Sequence, residues 1–153
     1  MHEAQTNFLI RMKNTFPENF KNAKVLEVGS LDINGSIRFL FEDCNYIGLD
    51  VGPGPCVDVV CSGHEYAAPD NSFDTVISSE CFEHNPYWAQ TFENMYRIAS
   101  QFVIFTCASD GRPEHGTRRN HPDTSPFTLN WDYYRNLNEN DFKSLYDFDT
   151  MFK

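Results

Sequence analysis

The residues able to do chemistry fall at a few points of the chain. Glu27, followed by Gly29 and Ser30, closes an apolar run at 24–28 and opens a turn that reaches Gly35. A glycine there lets the backbone bend and a ligand approach with no Cβ in the way. Asp50 ends a second apolar run, 23 positions after Glu27, close to the ~20-residue offset at which an acid takes both hydroxyls of a ribose. Ser62, Gly63 and His64 follow a third run, and Ser79, Glu80 and His84 follow a fourth. A bare backbone turn, an acid beside it and a second acid placed for a diol describe a nucleoside pocket.

The elements that must position these groups can be read from periodicity. Ala4, Phe8, Leu9, Met12 and Phe16 share one helical face, which predicts a helix over 3–16 ended by Pro17. Strands are expected at 24–28, 46–51, 57–61, 72–79 and 101–107, with 62–71 a loop. After the glycine turn, Ile37, Leu40, Phe41 and Cys44 predict a helix over 36–43 whose free N–H groups face the pocket. Asn85 and Pro86 stand as N-cap and first-turn residue of a helix striped by Trp88, Phe92, Met95 and Ala99. Continuous apolar strands alternating with helices argue for an α/β fold: a doubly wound, mostly parallel, Rossmann-like sheet with helices on both faces. Ligands of such sheets bind beyond the carboxyl ends of the strands, where every residue named above as chemically able lies.

In combination, Glu27-Val-Gly29 with Gly35, Asp50, the run 70–80 and Phe82-Glu-His84 resemble the class I S-adenosylmethionine-dependent methyltransferases, in particular the branch called methyltransferase type 11. The resemblance covers about 24–107. It implies S-adenosylmethionine as cofactor and S-adenosylhomocysteine as product, with the methionine moiety beside Glu27, Gly29 and Ser30 and the ribose on Asp50. Adenine would lie between Val51 and the Ser62, Gly63, His64 segment, and Ser79 and Glu80 would flank the reacting methyl. Leu31 and Ile33 stand where the family commonly has two glycines, so the turn to Gly35 is wider here. The family normally adds a sixth and a seventh strand, the latter antiparallel. No such hairpin follows here, so the apolar strand 102–105 is an edge to be covered by the tail 147–153, a second copy of the chain or a partner chain.

The reaction implied is displacement at the sulfonium methyl by an oxygen, nitrogen, sulfur or carbon nucleophile, for which alignment alone is worth about 7–11 kcal/mol. His84 or His115 is the candidate base, since imidazole titrates nearest neutral pH. Acceptor choice falls to the aperiodic stretch 109–136. Arg112, Arg118 and Arg119 there point to an anionic or sugar-linked small molecule, unless they pair with Asp110, Glu114 and Asp123. A non-catalytic S-adenosylmethionine-binding scaffold is the alternative. A nicotinamide-dependent oxidoreductase is disfavoured by the missing Gly-x-Gly-x-x-Gly.

Whole-chain quantities set the limits. The 153 residues, 41% hydrophobic, suit one domain, divided into an N-terminal helix at 1–23, a cofactor core at 24–108, a lid at 109–136 and a C-terminal helix and tail at 137–153. A net charge of −10 disfavours nucleic acid and anionic membranes as partners. The five cysteines include no Cys-x-x-Cys, which points to reduced thiols, a cytoplasmic location and no metal.

Overall fold

The computed structural model describes residues 3–147 and Thr150. Five strands form one parallel sheet: β1 (Lys24–Val28), β2 (Asn45–Asp50), β3 (Val59–Val60), β4 (Phe73–Ser79) and β5 (Ala99–Thr106), in the order β3-β2-β1-β4-β5. The order reverses beside β1, so the crevice between the ends of β1 and β4 is the switch point where such sheets hold ligands. This is the Rossmann-like arrangement expected.

Alternation along the strands divides the apolar side chains between two faces. Leu26, Val28 and Val76 pack with Trp88, Phe92, Met95 and Ile98 of α2 (Trp88–Ile98), and with Phe142 of α3 (Glu139–Lys143). Val25, Ile77 and Ile104 pack on the other face with Leu9 of α1 (Glu3–Thr15), Phe20, Ile37 and Leu40. Asp74 takes the N–H of Lys24 on Oδ2 at 2.7 Å, closing the start of β1.

Three expectations are corrected. The helix expected over 36–43 is one 3-10 turn, Arg38–Leu40. Phe41 turns extended and stacks on Phe20 at 4.8 Å, while Glu42 bridges to Lys21, so pairing across the fold overrides the local helical spacing. The third strand shrinks to Val59–Val60. Finally, α2 starts at Trp88 because Asn85 spends its side chain locally: Oδ1 accepts from the Tyr87 N–H and Nδ2 donates to Thr91, each at 2.8 Å.

Among the described residues no strand follows β5, and β5 pairs only with β4. Its side chains are nonetheless packed, Phe102 against Phe16 at 5.2 Å and Phe105 against Phe142 at 4.8 Å. Most of the tail expected to cover the edge lies outside the described residues. No described helix is long and apolar enough to cross a membrane.

Candidate active site

The end of β1 and its turn form the floor of the site. Gly29 has φ +81°, and a Cβ there would lie 2.6 Å from that of Cys81, so only glycine permits this approach of β1 to the turn after β4. The N–H groups of Gly29 and Ser30 both donate to the Leu49 carbonyl, at 2.8 and 3.1 Å, which folds the turn over the end of β2. Asp50 fixes the next stretch of backbone. Its Oδ2 accepts from the Leu31 N–H at 3.0 Å and its Oδ1 from the Gly52 N–H at 3.3 Å, so one carboxylate ties together the turns after β1 and β2.

Burial governs the charges. Glu27 is 4% exposed, and desolvation raises its carboxyl to about 7 against a weaker opposing pull from the Tyr46 hydroxyl. Asp50 is also raised by burial, offset in part by its backbone hydrogen bonds. Ser30 is buried as well, and its Oγ has no hydrogen-bond partner.

Beyond β4 the chain turns sharply at Glu80, φ +52°, whose N–H reaches the Thr106 carbonyl at 2.9 Å. The 3-10 turn Phe82–His84 then buries all three of its residues. Glu83 is fully buried and neither carboxyl oxygen has a hydrogen-bond partner; desolvation pushes it up to about 8. His84 is held down at about 4, first by burial and then by His115.

The stretch 109–136 closes over these elements as a lid. It is pinned at its base by the Arg135 N–H on the Glu83 carbonyl at 2.9 Å and by Asn136 Nδ2 on the Arg112 carbonyl at 2.9 Å. Phe127 lies against Gly52, where a Cβ would meet its ring at 2.0 Å.

One cavity of about 380 Å³ runs between floor and lid. Of the residues expected at the cofactor, Glu27 borders it from β1, Gly29, Ser30 and Gly35 from the turn that follows, and Asp50 and Val51 from the end of β2 and the residue after it. Gly63, Ser79 and Glu80 border it from the far side. Ser62 and His64 do not; His64 stacks on Tyr87 at 4.3 Å just outside. His84, His115 and Arg112 line the cavity, whereas Arg118 and Arg119 do not. Arg118 holds the lid together instead, its Nε on the Leu129 carbonyl at 2.9 Å and its N–H on Asp132 at 2.8 Å. Arg119 is exposed.

Sequence reasoning missed the lid residues Thr124 and Phe127, which also line the cavity, because an aperiodic stretch gives no facing. It also gave no role to Glu83 and expected no metal ligands. The structure brings ligand atoms of Glu83, His84 and His115 within 4.8 Å of one another. The adjacency of Glu83 and His84 was the available signal, but nothing local announces that both are buried.

Residues 26–105 match the family model described as "Methyltransferase domain". No curated protein matches the chain. Among solved structures, a Burkholderia thailandensis 1,6-didemethyltoxoflavin-N1-methyltransferase, crystallised with 1,6-didemethyltoxoflavin and S-adenosylhomocysteine, is 16% identical with a TM-score of 0.59, covering 94% of this chain and 64% of its own. A Haemonchus contortus phosphoethanolamine N-methyltransferase 2 in complex with S-adenosyl-L-methionine is 18% identical with a TM-score of 0.57, covering 88% of this chain and 35% of its own. A sarcosine dimethylglycine methyltransferase homologue from Galdieria sulphuraria is 21% identical with a TM-score of 0.52, covering 65% of this chain and 45% of its own. The chain thus spans between 35% and 64% of the length of these structures, and at such identities the likeness is one of fold. The family match takes in more than half of the residues, with Glu27, Asp50 and Glu80 of the pocket inside it, and so the chain belongs to the methyltransferase domain family of class I, whose cofactor is S-adenosylmethionine.

Proposed function

We propose that this chain transfers a methyl group from S-adenosylmethionine to a small-molecule acceptor bound beneath the lid. The observation that carries the reading is the continuity of the cavity. It begins at buried Glu27 and partly buried Asp50 and ends at His84, Arg112 and His115 under the lid. The residues present fit the cofactor. Glu27 offers a carboxylate whose ionisation a cationic ligand would favour, and Ser30 offers a buried hydroxyl without a partner. Asp50 takes the ribose, Val51 and Gly63 border the adenine, and Ser79 and Glu80 face the reacting end; Gly35 closes the turn.

When bound, the cofactor supplies an activated sulfonium methyl. The chain's part is then to align the acceptor and exclude water, which is what the lid and its anchors at Arg112 and Glu83 provide. Of the expected basic residues Arg112 alone reaches the cavity, so an anionic group on the acceptor would meet a single guanidinium. His84 is a poor general base at neutral pH, since burial holds it at about 4. Of the other imidazoles lining the cavity, His115 and His121, His115 is the one packed beside His84.

The division into core, lid and C-terminal helix, the free cysteines suited to a reducing cytoplasm, and pairing of a second copy along the β5 edge belong to the same proposal. Calorimetry with S-adenosylhomocysteine and NAD, followed by transfer of labelled methyl into a metabolite extract, tests it. Product binding, no NAD binding and a labelled metabolite are expected. Binding without any transfer would replace the enzyme by a non-catalytic scaffold. Light scattering as a function of concentration tests the pairing, and a strict monomer would remove it.

A further inference from the structure

Glu83 is a buried acid that its surroundings compensate only weakly. Its side chain is fully enclosed, both oxygens lack a hydrogen-bond partner, and no lysine or arginine among the described residues forms an ion pair with it. The backbone N–H groups of Glu83 and Ala108 favour its charged form without completing hydrogen bonds, and Arg112 attracts it more weakly still. An isolated buried carboxylate is strongly disfavoured, so such groups are either kept neutral or matched by a cation. Its neighbours are suited to the second solution. His84, 6% exposed, keeps Nδ1 buried and without a partner. His115 approaches from the lid with its ring 4.9 Å from that of His84. Its Nδ1 lies 3.1 Å from the Pro113 carbonyl, which can only accept, so the proton sits on Nδ1 and Nε2 keeps its lone pair. The Tyr134 ring, 5.0 Å from His115 and 5.6 Å from His84, walls the group on one side.

We propose that Glu83, His84 and His115 bind one divalent transition-metal cation, and that its open coordination positions take an oxygen of the methyl acceptor. Two imidazoles and one carboxylate form a borderline donor set that suits Zn²⁺ or Co²⁺ better than Mg²⁺ or Ca²⁺. The ligand atoms lie within 4.8 Å of one another, whereas a tetrahedral shell at ordinary zinc distances spaces them roughly 3.4 Å apart. His115, the one ligand carried by the lid, can move inward to close that difference. The cation would therefore fasten lid to floor as well as orient the acceptor. Three protein ligands leave at least one position open, and His84 and His115 both line the cavity. The acceptor class implied is one bearing a hydroxyl or carboxylate oxygen. This second half rests on the methyl-transfer reading; the cation site does not.

One pair of titrations separates them. Titration of the whole chain with Co²⁺, read by visible absorption, and with Zn²⁺, read by calorimetry, is run beside a titration with S-adenosylhomocysteine. One cation per chain is expected, with affinity lowered at least about tenfold in Glu83→Gln and in His115→Ala, while S-adenosylhomocysteine still binds both variants. His115 sits on the lid surface of the cavity, so His115→Ala keeps the test informative where Glu83→Gln fails to fold. Absence of binding by the wild type, or binding unchanged in His115→Ala, overturns the site. Cation binding without S-adenosylhomocysteine binding leaves the site standing and removes the methyl-transfer reading instead.

Discussion

The Tyr46 hydroxyl donates a 2.8 Å hydrogen bond to Oε2 of Glu27, linking β2 to the carboxylate that ends β1. Desolvation outweighs that bond and raises Glu27 to about 7. Two consequences have opposite signs. The folded chain holds the Glu27 proton more tightly than the unfolded one, so this site favours folding below pH 4.5 and loses that contribution as pH rises to about 7. A cationic ligand needs the ionised form, so binding of S-adenosylhomocysteine, through its amino group, weakens as pH falls below about 7. The slope should approach about tenfold per pH unit. Calorimetry from pH 5.5 to 8.5 reads it. Tyr46→Phe should move the break to higher pH and Glu27→Gln should abolish it; a flat wild-type profile would show that Glu27 does not meet the ligand's charge.

Asp50 serves two turns at once, accepting from Leu31 and Gly52. Hydrogen bonds to a charged group contribute about 1.5–3 kcal/mol each. Asp50→Asn removes the charge and leaves one acceptor oxygen for the two N–H groups of Leu31 and Gly52, so it should weaken S-adenosylhomocysteine binding by roughly tenfold to a hundredfold and lower Tm as well. Asp50→Ala also frees both turns and should lower Tm further. Equal affinity of Asp50→Asn and wild type would confine Asp50 to holding the backbone.

How much of this was legible depends on where the information sits. Strands β1 and β4 could be read because Val25, Leu26, Val76 and Ile77 are buried on both faces of a parallel sheet, which writes a continuous apolar run into the sequence. The pairing of Glu27 with Asp50 was legible for the same reason, as strand ends follow strands. The segment after Gly35 was not, because the spacing of Ile37, Leu40 and Phe41 fits a helix while the stacking of Phe41 on Phe20 decides otherwise. Glu83 reads as an ordinary acid, since its burial is set by Arg135 and Ala108, far along the chain.

The lid is held partly by one ring on one glycine. Phe127 lies on Gly52, with no room for a Cβ between them. Gly52→Ala should push the ring away and loosen the segment around exposed Arg119. Limited trypsin digestion should then cut at Arg119 several-fold faster than in the wild type, and S-adenosylhomocysteine should slow the cut in both. An unchanged rate would mean that the Arg118 bonds to Leu129 and Asp132 hold the lid without Phe127.

Phe142 joins the stability of the sheet to the geometry of the site. Its ring lies 4.8 Å from Phe105, 5.0 Å from Trp88 and 5.5 Å from Phe92, closing the face of β5. The helix carrying it has only five residues, and a capping box between Asn138 and Asp141 holds its start. Removing the cap by Asn138→Ala should cost about 1 kcal/mol, and Phe142→Ala about 3–5 kcal/mol from the cavity it leaves. The chain entering this helix runs past Glu83, through the Arg135 bond to its carbonyl and the Leu137 bond to the Ala108 carbonyl at 2.9 Å. Loss of Phe142 should therefore admit water to the Glu83 carboxyl as well as lower stability. Urea denaturation gives the loss of stability, and amide exchange at Glu83 and Ala108 gives the entry of water. A variant that loses stability while both amides keep wild-type protection would show that the helix supports the sheet alone.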